Sequence, residues 1–224
     1  MRSQRRLCLS GLLSAALVVA ALAGCSSSPP VIFYTLTEIP STTAISKTTA
    51  YEILVGPVTL PEMLDRPQLV TRATDTRVNV LEQQRWAAPL KSEVPRILAA
   101  NLNQLLPEAA VTVEPQPSTG RPLWRVAVEI QRFDAMPGSD VTIEALWSIQ
   151  QGSGTEPKIG YSVLREPVSG PGNDALVGAH AAAINALSRE IAGAIQVLHS
   201  TPAAAPAAKA AAKVAPEAAP EAEK

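Results

Sequence analysis

Hydrophobic and polar positions along this chain follow three rhythms, and each predicts a different kind of structure. Period two is clearest from Leu123 to Phe133, where Trp124, Val126, Val128 and Ile130 alternate with residues that include Arg125, Glu129 and Gln131. That spacing puts one set on each face of a strand. Val141 to Gln150 alternates again, Val141, Ile143, Ala145 and Trp147 opposing Thr142, Glu144, Leu146 and Ser148, and Lys158 to Glu166 pairs back after Gly152-Ser153-Gly154. Three such segments joined by glycine-containing turns predict an antiparallel meander.

Steps of three and four mark two helices. Leu90, Val94, Ile97, Leu98, Leu102 and Leu105 form a stripe between Pro89 and Leu106. Pro95 either falls in the tolerant first turn of a helix beginning near Ser92 or kinks one beginning at Pro89, and Pro107 stops it. The second seam is Val177, His180, Ile184, Leu187, Ile191, Ile195 and Leu198, with Asn173 or Asp174 as cap and an end near His199. Its opposite side is rich in small residues, suited to lie against another subunit.

Shorter strands are expected at Ile32 to Thr37, Gln68 to Thr71, Arg77 to Leu81 and Val111 to Val113, with loops at Pro40 to Ala50 and Pro115 to Pro122. The stretch from Tyr51 to Arg72 organises the rest. Tyr51 to Val55 is a buried strand that Gly56-Pro57 is expected to end, because proline has no amide hydrogen for a ladder. Val58 to Leu60 continues extended, and Pro61 and Pro67 bracket a tight segment. The fold class is α+β: a mixed, mainly antiparallel sheet packed by two principal helices, in a single domain over 32–199.

The third rhythm is no rhythm, at both ends. Arg2, Arg5 and Arg6 precede an uncharged apolar run from Leu7 to Ala21 and then Leu22-Ala23-Gly24-Cys25. This reads as a secretory signal over 1–24 closed by a lipobox, with Cys25 the lipidated residue and 25–31 a tether. The run is short and diluted for a bilayer core of about 30 Å. Arg5-Arg6 fits an ordinary basic n-region as well as half of a twin-arginine signal. Two or three acyl chains, each buried CH₂ contributing about 0.8 kcal/mol, make attachment effectively permanent. From 200 to 224 the chain is alanine, proline, lysine and glutamate, read as a disordered tail.

Composition sharpens this picture at two points. The chain has two cysteines, Cys8 in the signal and Cys25 taken by lipid, so no thiol remains for a disulfide or a cysteine metal site. A domain of about 170 residues buries an adequate core without staples. The formal charge of −1 becomes more negative by three when the signal arginines are lost, which argues against a nucleic-acid partner.

Candidate chemistry is sparse. The two histidines, His180 and His199, lie about five turns apart on one helix and cannot meet; a satisfied core histidine and a surface one are the reading. No G-x-S-x-G elbow, Walker loop, H-E-x-x-H or dinucleotide fingerprint occurs. Catalytic residues, metal and cofactor are therefore expected to be none. Asp65-Arg66 is the most specific charged pair, a salt bridge locking the turn between two prolines.

Val55-Gly56-Pro57-Val58, Leu60-Pro61, Leu64-Asp65-Arg66-Pro67 and Leu69-Val70-Thr71-Arg72, with Phe33-Tyr34-Thr35-Leu36 and the Trp86 to Leu90 segment, resemble the signature of the ABC-type transport auxiliary lipoproteins, the PqiC-like family. The resemblance spans roughly Ile32 to Leu198. It implies a non-enzymatic lipoprotein anchored on the periplasmic face of the outer membrane of a Gram-negative bacterium; Ser26 after the cysteine agrees. It also implies an MCE-domain periplasmic protein and its inner-membrane transporter as partners, phospholipid as a cargo, and room for a homo-oligomer. Leu64, Arg66 and Trp86 are the candidate partner-binding residues: Leu64 either plugs the core or protrudes, Arg66 is a buried tie or a rim, and Trp86 packs or lies on a contact surface. The alternatives are a structural envelope lipoprotein without transported ligand and a lipoprotein hydrolase, the latter needing a nucleophile and base within reach of each other.

Overall fold

The computed structural model describes residues 29–40, 49–115, 123–152 and 154–200. The signal, Cys25 and its lipobox, and the tail beyond 200 lie outside the described residues, as do most of the two predicted loops.

Eight strands form two sheets. The larger has the order β5-β2-β6-β7-β8, built from β2 (Tyr51–Thr59), β5 (Ala109–Val113), β6 (Leu123–Ala135), β7 (Asp140–Gln151) and β8 (Lys158–Pro167). The smaller has the order β1-β4-β3, from β1 (Ile32–Tyr34), β3 (Gln68–Thr74) and β4 (Arg77–Trp86). β6, β7 and β8 make the antiparallel meander that their alternation predicts, and β3 and β4 make a hairpin. β2 runs parallel to both β5 and β6, and β1 parallel to β4. The fold is α+β with mixed sheets and two helices, and β2 and β3, consecutive in the organising stretch, belong to different sheets.

Gly56-Pro57 does not end its strand. β2 continues through it to Thr59, with a register shift against β6 between Val55 and Val58. A bulge needs no ladder bond at the extra residue, so a proline without an amide hydrogen is tolerated there. Gly56 has φ +142°, and a Cβ at that position would lie 2.8 Å from the Glu114 Cβ; only glycine fits. β4 is longer than expected, extending to Trp86, and β1 is shorter, ending at Tyr34.

Helix α1 (Leu90–Leu105) starts directly after Pro89 and carries Pro95 inside it. The amide that Pro95 lacks would have bonded the carbonyl of Lys91, an exposed residue. Helix α2 (Gly172–Ser200) lies across the inner face of the large sheet beside α1. Its predicted seam is buried from Val177 to Ile195, with Leu198 half-buried. The small residues that flank the seam, Ala179, Ala181, Ala183 and Ala192, are buried by the chain itself, whereas those opposite it are not: Gly178 is exposed, and Ala182, Ala186 and Gly193 are half-buried.

The core holds Ile53, Val55, Val126, Ile130, Ile143 and Ile149 of the sheet against Ile97, Leu102, Ile184 and Ile191 of the helices. His180 joins the two sheets. Its ring packs edge-on against Trp86 of β4 (centroids 5.5 Å apart) and Phe133 of β6 (4.9 Å). Asn101, fully buried on α1, is the polar node: its Oδ1 accepts from the Ile39 amide (2.8 Å), and its Nδ2 donates to Asn185 Oδ1 (2.7 Å) and Ser188 Oγ (3.0 Å) of α2.

Candidate docking surface

The segment between Pro61 and Pro67 contains one 3-10 turn, Glu62–Leu64, closed by Leu64 N–H donating to the Pro61 carbonyl (2.9 Å). Leu64 is half-buried against the core, and Arg66 is exposed. The predicted Asp65–Arg66 pair is not formed. Asp65 instead pairs with Lys91 in the first turn of α1, tying the turn to the helix that follows the hairpin. Adjacent residues on a tight turn point apart, so a partner from another element reaches Asp65 more readily than its own neighbour does. Trp86 is buried beside His180, the packing alternative, and its ring presents nothing to a partner.

Beside the turn, a groove of about 500 Å³ lies between the small sheet and the outer face of β6 and β7, lined in part by Pro61, Met63, Leu64 and Phe133. Its floor is a chain of ion pairs. The Asp75 carbonyl accepts from Arg72 Nη1 (3.0 Å), and Arg72 Nη2 reaches Asp134 Oδ1 (2.8 Å). Arg132 Nε meets the other oxygen of Asp134 (2.6 Å), and Arg132 Nη1 meets Glu144 Oε1 (3.0 Å). Glu144 Oε2 then accepts from Tyr161 Oη (3.4 Å) on β8. Burial would raise the Asp134 pKa, but hydrogen bonds from Arg72 and Arg132 outweigh it and hold the carboxyl below its ordinary value. Both arginines are pushed up, chiefly by their bonds to Asp134. These pairs brace the small sheet against the large one through Arg72 of β3 and Asp134 of β6.

Tyr161 leads from the brace to an apolar strip. On the outer face of β8, Ile159 is 61%, Tyr161 56% and Val163 53% exposed, with Leu146 of β7 paired opposite Tyr161. Among the described residues β8 has β7 on one side and no strand on the other, so a hydrogen-bonding edge and an exposed hydrophobic face coincide. A second groove, of about 410 Å³ and mainly apolar, continues the strip over Pro57, Thr59, Ala127, Leu146 and Ile159. The signature residues Pro61, Leu64 and Arg72 line the first groove, but the signature contains no residue of the β8 strip. The signal available was Ile159, Tyr161 and Val163 at period two, together with Leu146 on the polar side of its own strand.

On the inner face the same strand is closed. Trp147 covers Gly160, where a Cβ would lie 2.1 Å from the indole, and its Nε1 donates to Ser162 Oγ (2.8 Å), which in turn donates to Glu190 of α2. Ser162 is buried and bonded on both sides, so this serine–carboxylate contact is a fastening and not an exposed nucleophile. His180 is buried, Nδ1–H donating to the Leu176 carbonyl (2.8 Å); burial pushes its pKa down to about 4 against a weaker opposing effect of that bond. His199 stacks on Tyr51 with centroids 4.4 Å apart. The two imidazoles are thus in separate aromatic settings, and no group of three or more metal-ligating side chains converges among the described residues.

The fold matches solved structures. One, of an uncharacterized protein, is 20% identical with a TM-score of 0.62, covering 75% of this chain and 99% of its own. Another, protein XCC0632 from Xanthomonas campestris, of the DUF330 family, is 16% identical with a TM-score of 0.61, covering 75% of this chain and 97% of its own. No curated protein matches the sequence. The sequence does match a family over residues 34–192, which takes in everything from the end of β1 through most of α2. With the turn, both sheets and both helices inside that match, the chain belongs to the ABC-type transport auxiliary lipoprotein component family.

Proposed function

We propose that this chain is a non-enzymatic docking component, anchored by acyl chains on Cys25 to the periplasmic face of the outer membrane, that holds an MCE-domain periplasmic protein and its inner-membrane transporter in place for lipid transport across the envelope. The observation that carries the proposal is the strip of Ile159, Tyr161 and Val163 on an unpaired edge strand. A soluble domain rarely leaves so much contiguous apolar surface on a free sheet edge unless a partner covers it. The brace from Asp75 to Tyr161 fixes that strip relative to the Pro61–Pro67 turn, so Leu64 and Arg66 would serve as rim. Phospholipid would pass along the partner rather than through this chain, whose grooves are open and shallow beside an acyl chain.

Co-purification of the detergent-solubilised lipoprotein, with mass spectrometry of bound protein and lipid, tests the reading. An MCE-domain protein retained by the parent, and an acylated Cys25, are the expected results. Recovery of the protein alone would overturn docking, and an unmodified Cys25 would overturn anchoring. The free β8 edge also supports a second reading, a homo-oligomer through the same strip, which sedimentation in detergent separates from a one-to-one complex.

A further inference from the structure

A second apolar surface lies on the small sheet, at the start of the described chain. Val31, Ile32 and Phe33 are 39%, 47% and 62% exposed, three consecutive hydrophobic residues turned partly or mostly to the outside. β1 is an edge strand, held to β4 by three register pairs and by the Ala87 amide donating to the Tyr34 carbonyl (2.8 Å). Tyr34 is buried and roots the strand, so the exposure of its neighbours is not fraying of a loose end. Phe33 pairs with Arg85 across the ladder, which puts the two residues on one face of the sheet; the Arg85 Nε donates to the Glu82 carbonyl, and the Glu82 carboxylate accepts from Gln68 Nε2.

We infer that Val31, Ile32 and Phe33 seat the domain on the surface of the phospholipid bilayer, with Arg85 at the level of the headgroup phosphates. The inference rests on the proposed acylation of Cys25. Seven residues lie between Cys25 and Phe33, and the eight steps from one to the other span at most about 28 Å, roughly the width of a small domain. Pro29-Pro30 favours an extended path immediately before the strand. Acyl chains on Cys25 would therefore keep this corner of the molecule within about 28 Å of the bilayer surface. An exposed phenylalanine beside an arginine suits the boundary between headgroups and acyl chains, where an apolar ring is buried and a cation meets phosphate. Seating here would leave the β8 strip, on the other sheet, available to a protein.

The test uses the full-length lipidated protein in vesicles of phosphatidylethanolamine and phosphatidylglycerol, with and without bromine on the acyl chains. Phe33→Trp and, separately, Ile159→Trp introduce reporters against three native tryptophans that are all buried. The Phe33→Trp variant is expected to gain a blue-shifted component that brominated lipid quenches, while Ile159→Trp gains a red component that it does not quench. If mass spectrometry shows acylated Cys25 and the protein floats with the vesicles, yet tryptophan at position 33 is unquenched, the seating is wrong and the anchor stands. Equal quenching at 33 and 159 also overturns it, since the domain would then lie on lipid without preference. A chain with no acyl group on Cys25 overturns the anchor and the seating together.

Discussion

A neutral imidazole is what His180 must remain for the joint between the sheets to persist, because its ring is enclosed by Trp86 and Phe133 with only the Leu176 carbonyl as polar partner. The unfolded chain takes up a proton near 6.5, whereas the folded chain resists until about 4. A depressed histidine pKa means that the unfolded state binds more protons between those values. Stability is therefore full above 6.5 and is lost as pH falls toward 4, by about 3 kcal/mol in total. Chemical denaturation across that range should show the slope, and His180→Asn should flatten it. Asp134, held below its ordinary 3.8, adds stability that disappears only as pH falls further, through its lowered pKa. Asn101→Leu strands the Ile39 amide and removes the donor to Asn185 and Ser188, although the Ser188 hydroxyl keeps its bond to the Ile184 carbonyl; a loss of about 2 kcal/mol is expected in urea melts. At the turn, half-buried Leu64 should cost about 1 to 2 kcal/mol on truncation to alanine, below the range for a fully enclosed leucine. Exposed Arg66→Ala should stay within about 0.5 kcal/mol of the parent, as thermal melts of both variants will show.

Strands and helices were legible in proportion to how far local pattern determines them. The meander of β6, β7 and β8 followed from period two, and the buried stripe of α2 from period 3.6, because burial on one face imposes both patterns. What local pattern does not encode is pairing between distant segments. Nothing near Tyr51 indicates that β2 will lie parallel to β6 more than seventy residues later, or that Pro57 will fall at a bulge of that pairing. The same limit applies to the surface. Asp65 read as the partner of Arg66 because they are adjacent, while its actual partner, Lys91, is brought in by the path of α1. Arg72 and Asp134 likewise meet only because the β3–β4 hairpin docks on β6. Gly160 is the floor under the Trp147 indole, a close approach between β8 and β7 that local pattern does not mark. Gly160→Ala should push that ring off Ser162 and cost about 1 to 3 kcal/mol. The near-ultraviolet dichroism of tryptophan is the readout, together with the melting temperature.

For the molecule as a whole, membership of the transport auxiliary lipoprotein family and the geometry of the outer surface lead to one division of labour. The inner faces are occupied: α1 and α2 cover the large sheet, His180 and Asn101 join the parts, and the Trp147–Ser162–Glu190 contact fastens β7 and β8 to α2. The outer face of β8 is not occupied, and it presents apolar side chains on a strand with a free edge. The central claim is that this face receives the protein partner. Ile159 and Val163 are more than half exposed, so replacing both with aspartate leaves the core unchanged. The decisive measurement is the affinity of the full-length lipidated protein for the purified MCE-domain protein, parent against the Ile159→Asp/Val163→Asp variant, with melting temperatures recorded alongside. The account predicts the same melting temperature and a loss of affinity of about ten-fold or more; undiminished affinity in a fully folded variant would contradict it.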